Sequence, residues 1–154
     1  MNKFQLWEDD AEDFYYKGKL TEEMITDFQQ ESGFVLPDTY KKLLKERNGF
    51  QLVRPFYPVS QATSWAENHI NVDHILGIGT QIGLKDSAYM IEEWELPSNK
   101  LLVFSNTAPT FVCLDYRKGG EPQVVYIDVD SNQDFVVADS FEILLKGLEE
   151  SIEE

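Results

Sequence analysis

Oxygen-bearing side chains occupy alternate positions between residues 128 and 134, and Asp139 is the twelfth residue of the stretch that starts at Asp128. Carboxylate and amide oxygens at this spacing are the ligands of a calcium-binding loop. Such a loop requires glycine at its sixth position, which here is Gln133. The flanking segments have the composition of strands, whereas helices flank a calcium loop. The pattern therefore favours a polar hairpin loop, and we predict no metal site.

Two further patterns resemble ligand sites without completing them. Gly77, Gly79 and Gly83 follow an apolar run, as in a nucleotide-binding loop, but the last spacing is one residue too long and no Lys-Ser or Lys-Thr pair follows. His69 and His74 are five residues apart, and no second pair of His or Cys ligands lies nearby to complete a zinc site. We therefore predict a turn at the glycines, histidines that are buried or on the surface and bind no metal, and no cofactor.

The sequence evidence for catalytic residues is equally weak. Cys113 lies in the apolar run 111–114, where a thiol behaves as a small hydrophobic group. Glu92, Glu93 and Glu95 could supply the carboxylate pair of a glycosidase, but some such pair is inevitable among 28 acidic residues. No Gly-x-Ser-x-Gly nucleophile motif is present. We predict no catalytic residue and a protein that is not an enzyme, with an enzyme acting through its carboxylates as the third-ranked hypothesis.

The first third of the chain predicts two helices joined by a short link. Thr21 can cap the first helix, two acidic residues follow it in the first turn, and Gly33 supplies the end. The second helix begins around Pro37 and ends at Gly49. Two helices joined by so short a link must pack on each other or on a shared layer.

From residue 50 onward strands dominate. A helix is predicted over 86–95 with Ile91 and Trp94 facing the core, and a last helix begins where Asp139 and Ser140 can cap it. Strands are predicted at 50–53, 72–78, 100–105, 110–116, 123–129 and 135–138. Segregated helices and strands indicate an α+β fold, with helices packed on a largely antiparallel mixed sheet. We expect one domain over 1–154, with an N-terminal arm at 1–19 and an acidic tail at 149–154.

Charge limits the partners of this domain. The 154 residues carry 13 basic and 28 acidic side chains, a formal charge of −15. Such a surface repels nucleic acids and anionic membranes and attracts basic proteins. The first residues do not form a secretory signal, no apolar run is long enough to cross a bilayer, and Cys113 is the only cysteine. We therefore predict a cytoplasmic protein that binds neither nucleic acid nor membrane.

The acidic surplus is concentrated in the second half of the chain, because residues 86–139 hold ten acids against three bases whereas residues 50–85 are balanced. Aromatic side chains in the balanced segment could anchor a partner, while the acids would supply electrostatic attraction. On this basis we predict nine partner-binding residues: Phe56, Tyr57, Trp65, Glu92, Glu93, Glu95, Asp128, Asp130 and Asp134.

A succession of short motifs runs from about residue 20 to residue 148. They are Leu-Thr-Glu-Glu at 20–23, Leu-Pro-Asp-Thr-Tyr at 36–40, Arg-Asn-Gly at 47–49, Glu-Trp-Glu-Leu-Pro at 93–97, Phe-Val-Cys-Leu-Asp at 111–115, Pro-Gln-Val-Val-Tyr-Ile-Asp at 122–128 and Ala-Asp-Ser-Phe-Glu at 138–142. This order resembles the SUKH superfamily, which includes bacterial toxin-immunity proteins and fungal cell-wall assembly regulators. Two loops depart from the family pattern: Phe50 replaces a second glycine, and residues 106–109 replace a glycine-rich turn.

The resemblance implies an α+β fold and, for a member of this length, protection against a protein toxin; it implies no catalytic residue. We therefore predict an immunity protein that binds a cognate basic toxin domain, a nuclease being one candidate, and masks its active site. The alternative is a regulatory protein–protein interaction scaffold that resembles the fungal regulators.

Overall fold

The computed structural model describes residues 5–10, 12–79 and 83–150 of the chain. Its first two helices are α1, Glu22–Ser32, and α2, Asp38–Glu46. Thr21 begins α1 by accepting a hydrogen bond of 3.2 Å from the Met24 amide, and Gly33 ends it with a left-handed φ of 80°. Both ends of α1 are those that the capping residues predict.

Two small antiparallel sheets follow the helical pair. One pairs β1, Phe50–Gln51, with β4, His74–Ile75, and the other pairs β2, Phe56–Pro58, with β3, His69–Asn71. The single strand predicted over 72–78 is therefore wrong in extent. Only His74–Ile75 pair with β1, whereas further along the predicted strand the N–H and the carbonyl of Ile78 are hydrogen-bonded to the side chain of Asn48, each at 2.8 Å.

The main sheet is a four-stranded antiparallel meander in the order β5-β6-β7-β8. Its strands are β5, Leu101–Thr107, β6, Thr110–Asp115, β7, Gln123–Asp128, and β8, Gln133–Ala138. The two central strands are almost entirely buried. Every strand pair in the described ranges is antiparallel, so the structure is α+β as predicted, but the pairing is uniform rather than mixed.

One face of the main sheet carries Phe111 and is named the Phe111 face. Residues paired across neighbouring strands point their side chains to the same side of a sheet. The register therefore groups Phe111, Cys113, Asp115, Val125, Ile127, Asp134 and Val136.

Helix α3, Ser87–Trp94, packs beside β5 and lays Trp94 against Phe111, with 5.8 Å between ring centroids. Ser87 and Met90 are buried, but Trp94 is 36% exposed. The prediction that Trp94 points into the core is thus wrong, because the short helix carries this residue to the margin of the sheet.

The last helix, α4, spans Phe141–Gly147 and is capped by Ser140, which accepts a hydrogen bond of 3.2 Å from Ile143. Phe141 joins α2 to the sheet, since its ring lies 4.5 Å from that of Tyr40 and 5.4 Å from that of Phe104. The described helices include none that has both the length and the apolar composition to cross a bilayer.

Candidate functional site

The loop between β2 and β3 presents Trp65 at its tip. The N–H of Val59 donates to the carbonyl of Asn68 at 2.9 Å, and the N–H of Thr63 donates to the carbonyl of Ala66 at 2.8 Å. The Thr63 hydroxyl also accepts a hydrogen bond of 3.1 Å from the Trp65 amide. These bonds close the loop at its base and at its tip, and they leave Trp65 58% exposed.

Two hydrogen bonds fasten this Trp65 loop, residues 59–68, to the turn between β7 and β8. Ser64 donates to a carboxylate oxygen of Asp128 at 2.8 Å, and the side-chain amide of Gln133 donates to the carbonyl of Ala62 at 2.9 Å. A loop tied at both base and flank loses less conformational entropy when a partner orders it. The sequence places Trp65 and Asp128 more than sixty residues apart, and the fold brings their segments together.

Asp128 is buried where the Trp65 loop contacts the β7–β8 turn. It is 1% exposed, and its second carboxylate oxygen accepts a hydrogen bond of 3.1 Å from the Ser131 amide. Burial alone would raise the pKa of Asp128, but the bonds from Ser64 and Ser131 outweigh burial and hold the pKa below its usual range. Asp128 therefore positions the loop, and the expectation that it presents its charge to a partner does not fit this burial.

Asp134 is already paired. Arg117 contacts both of its carboxylate oxygens, at 2.7 and 3.0 Å, and also donates through Nε to Asp115 at 2.9 Å. Asp115 is buried, which raises its pKa, but the bonds from Arg117 outweigh this and lower it overall. The guanidinium thus links two carboxylates of the Phe111 face, and Asp134 offers little free charge.

The other predicted acids are free. Asp130 lies exposed in the β7–β8 turn, and Glu92, Glu93 and Glu95 lie exposed on or directly after α3. Within the described part of the chain, none of these four carboxylates forms an ion pair. Unpaired exposed carboxylates keep their full field, so these residues are available to attract a basic surface.

Phe56 and Tyr57 serve in packing. The backbone of Phe56 exchanges two hydrogen bonds with Glu149, at 3.1 and 2.7 Å, and its ring lies 5.2 Å from that of His69. Tyr57 packs so closely on Gly147 that a Cβ there would lie 2.6 Å from the tyrosine ring. Both residues are half-buried and attach the end of α4 to β2, so their predicted role as exposed anchors does not fit the structure.

Sequence reasoning missed a buried polar cluster around His74. Its Nδ1 lies 2.9 Å from a carboxylate oxygen of Asp73, and its Nε2 accepts a hydrogen bond of 3.2 Å from the backbone N–H of Asn106. Tyr15 stacks on the imidazole with 3.9 Å between centroids. The cluster ties the N-terminal arm to β4 and β5. Its members come from three distant segments, and no local pattern in the sequence links them.

An apolar groove between α1 and α3 was also missed. Its volume is about 480 Å³, and the buried side chains of Phe28, Leu84 and Leu102 form its floor. Glu31 and Glu92 lie at its rim. The only sequence signal was Ile91, which was expected to face the core and instead lines this groove half-buried.

No group of three or more His, Cys, Asp or Glu side chains is arranged to hold a metal ion within the described ranges. Cys113 is fully buried on the Phe111 face, and desolvation raises the pKa of its thiol far above the usual range. A buried, protonated thiol is a poor nucleophile. Residues 80–82 of the glycine-containing loop lie outside the described residues.

Comparison with known proteins places these features in a family. No curated protein matches the chain significantly. The model of the SMI1 / KNR4 family (SUKH-1) matches residues 19–147, a range that includes helices α1 to α4, the Trp65 loop and the strands β1 to β8 described above. The SUKH families include toxin-immunity proteins and fungal regulators, and they are known mostly as non-enzymatic proteins that bind protein partners. The chain belongs to the SMI1 / KNR4 family (SUKH-1).

Proposed function

We propose that this protein is a cytoplasmic immunity protein that binds the catalytic domain of a cognate protein toxin and masks its active site. The observation that carries the proposal is the exposed Trp65 on a loop fastened to the β7–β8 turn, which presents the exposed Asp130. Tryptophan is enriched among the residues that dominate binding energy at protein interfaces. Its free side chain and tied backbone suit an anchor that enters a pocket of the partner.

Charge supports a basic partner. The chain carries −15, and Asp130, Glu92, Glu93 and Glu95 are exposed without ion pairs inside the described ranges. A nuclease is one toxin class that fits, because its substrate cleft must be basic to hold phosphates. An acidic protein can occupy such a cleft in place of the nucleic acid. Complementary fields also accelerate encounter, which matters when a toxin must be intercepted before it acts.

The test is co-expression with a candidate toxin, the product of a gene adjacent to the one that encodes this chain. We expect the wild-type protein to restore growth and to form an isolable complex with that toxin. Trp65→Ala should weaken affinity by about thirtyfold or more, the loss of a typical anchor residue. Phe14→Ala is the matched control, since Phe14 is 66% exposed on the N-terminal arm and should leave affinity unchanged.

The outcomes separate the functions. Absence of both rescue and complex would end the immunity proposal. Capture of several weakly bound cellular proteins, with no toxin gene nearby, would instead indicate the regulatory scaffold. Equal affinity of Trp65→Ala and wild type in a complex that does form would remove Trp65 from the interface.

A further inference from the structure

Strand β8 is an open edge of the main sheet. It pairs with β7 on one side, and within the described residues its backbone forms no other hydrogen bond. Unpaired N–H and C=O groups along an edge strand are a template for another extended chain. Proteins usually cover such an edge or interrupt it.

The opposite edge, β5, is covered. The N–H of Val103 donates to the Ser87 hydroxyl at 2.9 Å, and the carbonyl of Phe104 accepts from Leu76 at 2.8 Å. The molecule therefore uses a helix N-terminus and an extended segment to satisfy one edge of the sheet. Along β8, the outward hydrogen-bonding groups have no backbone partner among residues 5–10, 12–79 and 83–150.

The register identifies the free groups. The N–H of Val129 donates toward β6, to the carbonyl of Pro109, at 3.1 Å. Backbone groups alternate in direction along a strand, so Asp128 directs its N–H and C=O toward β8. The regular pairing that follows then turns the N–H and C=O of Asp134 and Val136 away from β7. These two residues offer hydrogen bonds to an incoming strand.

The side chains around this edge indicate which kind of segment could pair with it. Val136 is 44% exposed at the middle of the strand, while Asp130 and Asp139 lie exposed near its two ends. Neither aspartate forms an ion pair within the described ranges. Acidic ends on a chain of charge −15 repel a second copy of the same strand. They fit a segment with basic residues on either side of an apolar one.

We propose that β8 binds an extended, basic segment of the partner protein as an added strand, through the backbone groups of Asp134 and Val136. This inference rests on the proposed function, because the partner is the basic toxin domain. The edge is continuous with the Trp65 loop, since Gln133 at the start of β8 donates to Ala62 at 2.9 Å. Anchor and added strand thus belong to one surface.

Hydrogen exchange on the wild-type complex with the adjacent-gene toxin gives the direct test. In the free protein the amides of Asp134 and Val136 should exchange fast, whereas the amide of Phe135, which faces β7, should be protected. In the complex we expect exchange at Asp134 and Val136 to slow by about tenfold or more. Unchanged exchange at both amides in a formed complex would overturn edge pairing and leave the immunity proposal standing.

A variant pair gives the second test. Val136→Pro removes the outward N–H at a position where an edge strand tolerates proline, and Val136→Thr keeps both the N–H and the shape. We expect the proline variant to bind the toxin about tenfold more weakly and the threonine variant to bind within about twofold of wild type. Equal affinity of the two variants would contradict the proposal; an unfolded proline variant leaves the wild-type exchange result decisive.

Two other results would also overturn it. Protection of Asp134 and Val136 that appears with rising concentration of the free protein would mean that a second copy occupies the edge. Absence of any complex would remove both the edge pairing and the proposed function together.

Discussion

Ser64 donates a hydrogen bond of 2.8 Å to Asp128, and this bond joins the Trp65 loop to the β7–β8 turn. The acceptor is buried and the loop tip is exposed, so the pair connects the core of the sheet to its surface. Affinity in such a site depends on rigidity as well as on contact, because a mobile loop must be ordered on binding.

Ser64→Ala should therefore weaken binding although Ser64 need not touch the partner. The variant removes one hydrogen bond to a charged group, and we expect a loss of about 1–2 kcal/mol in the free energy of unfolding. We expect toxin affinity to fall by about three- to tenfold through the looser loop. Chemical denaturation and calorimetric titration measure the two effects. Ser60→Ala, an exposed change in the same loop, is the control and should alter neither.

The free energy of unfolding should depend on pH in part through the ionisation of Asp128. Its pKa is lowered in the folded protein, so it stabilises the fold above the unfolded value of about 3.9 and loses this contribution as pH falls through the folded value. Asp128→Asn should remove the contribution that is lost in acid, and it should lower the free energy of unfolding at neutral pH by about 1–3 kcal/mol. Denaturant titrations from pH 7 downward test this. The exposed neighbour Asp130→Asn should keep the wild-type profile, and identical profiles for all three proteins would refute the assignment.

Local signals explain what the sequence predicted well. The caps at Thr21 and Ser140 lie within three residues of the amides they bind, so their chemistry is visible in the sequence. Trp65 was singled out because a tryptophan in a polar segment has few core neighbours along the chain. Asp128 was misjudged because its burial depends on Ser64, which the sequence does not connect to it.

The same reason accounts for the remaining differences. Phe56 lies in an aromatic, proline-rich stretch that is typical of an exposed loop, but pairing with Asn71 makes it part of strand β2. A bridge to Glu149 then attaches it to the chain that follows α4. The openness of β8 was also invisible, since strand order in a sheet follows from long-range pairing. Sequence patterns thus predicted the helices, the strands of the main sheet and the fold class, but not β2 and β3. Burial of polar groups depended on contacts between distant segments.

Arg117 should be important for stability because Asp115 is buried beside it. Arg117→Met keeps much of the side-chain stem but leaves Asp115 without its partner, and breaking a buried pair costs about 3–5 kcal/mol. We expect the free energy of unfolding to fall by about 3 kcal/mol, the low end of this range, because the guanidinium is partly exposed. Asp134→Asn should cost less than about 1 kcal/mol, because Asp134 is nearer the solvent.

The double variant Asp115→Asn/Arg117→Met distinguishes loss of the ion pair from loss of packing as the reason why Arg117→Met is destabilised. If the lost partner is what destabilises Arg117→Met, neutralising Asp115 should recover part of the lost stability in the same denaturation experiment. A double variant less stable than Arg117→Met would show that Arg117 acts through packing on the Phe111 face instead.

The acids of α3 should govern the rate of association more than the lifetime of the complex. Glu92, Glu93 and Glu95 are exposed and form no ion pair in the described ranges, so their field reaches the solvent. The triple change to Gln should slow association with the adjacent-gene toxin by about three- to tenfold at low salt and flatten its dependence on ionic strength. Stopped-flow kinetics at several salt concentrations measure both quantities.

A control with the same change in net charge distinguishes local attraction from the field of the whole protein. Glu23→Gln, Asp27→Asn and Glu46→Gln alter exposed acids of α1 and α2. If α3 faces the basic partner, this control should slow association by less than about twofold. Equal slowing by both triple variants would mean that only net charge matters. Because the α3 acids steer the partner without being desolvated, dissociation of the α3 variant should stay close to wild type; a much faster dissociation would instead place these carboxylates inside the interface.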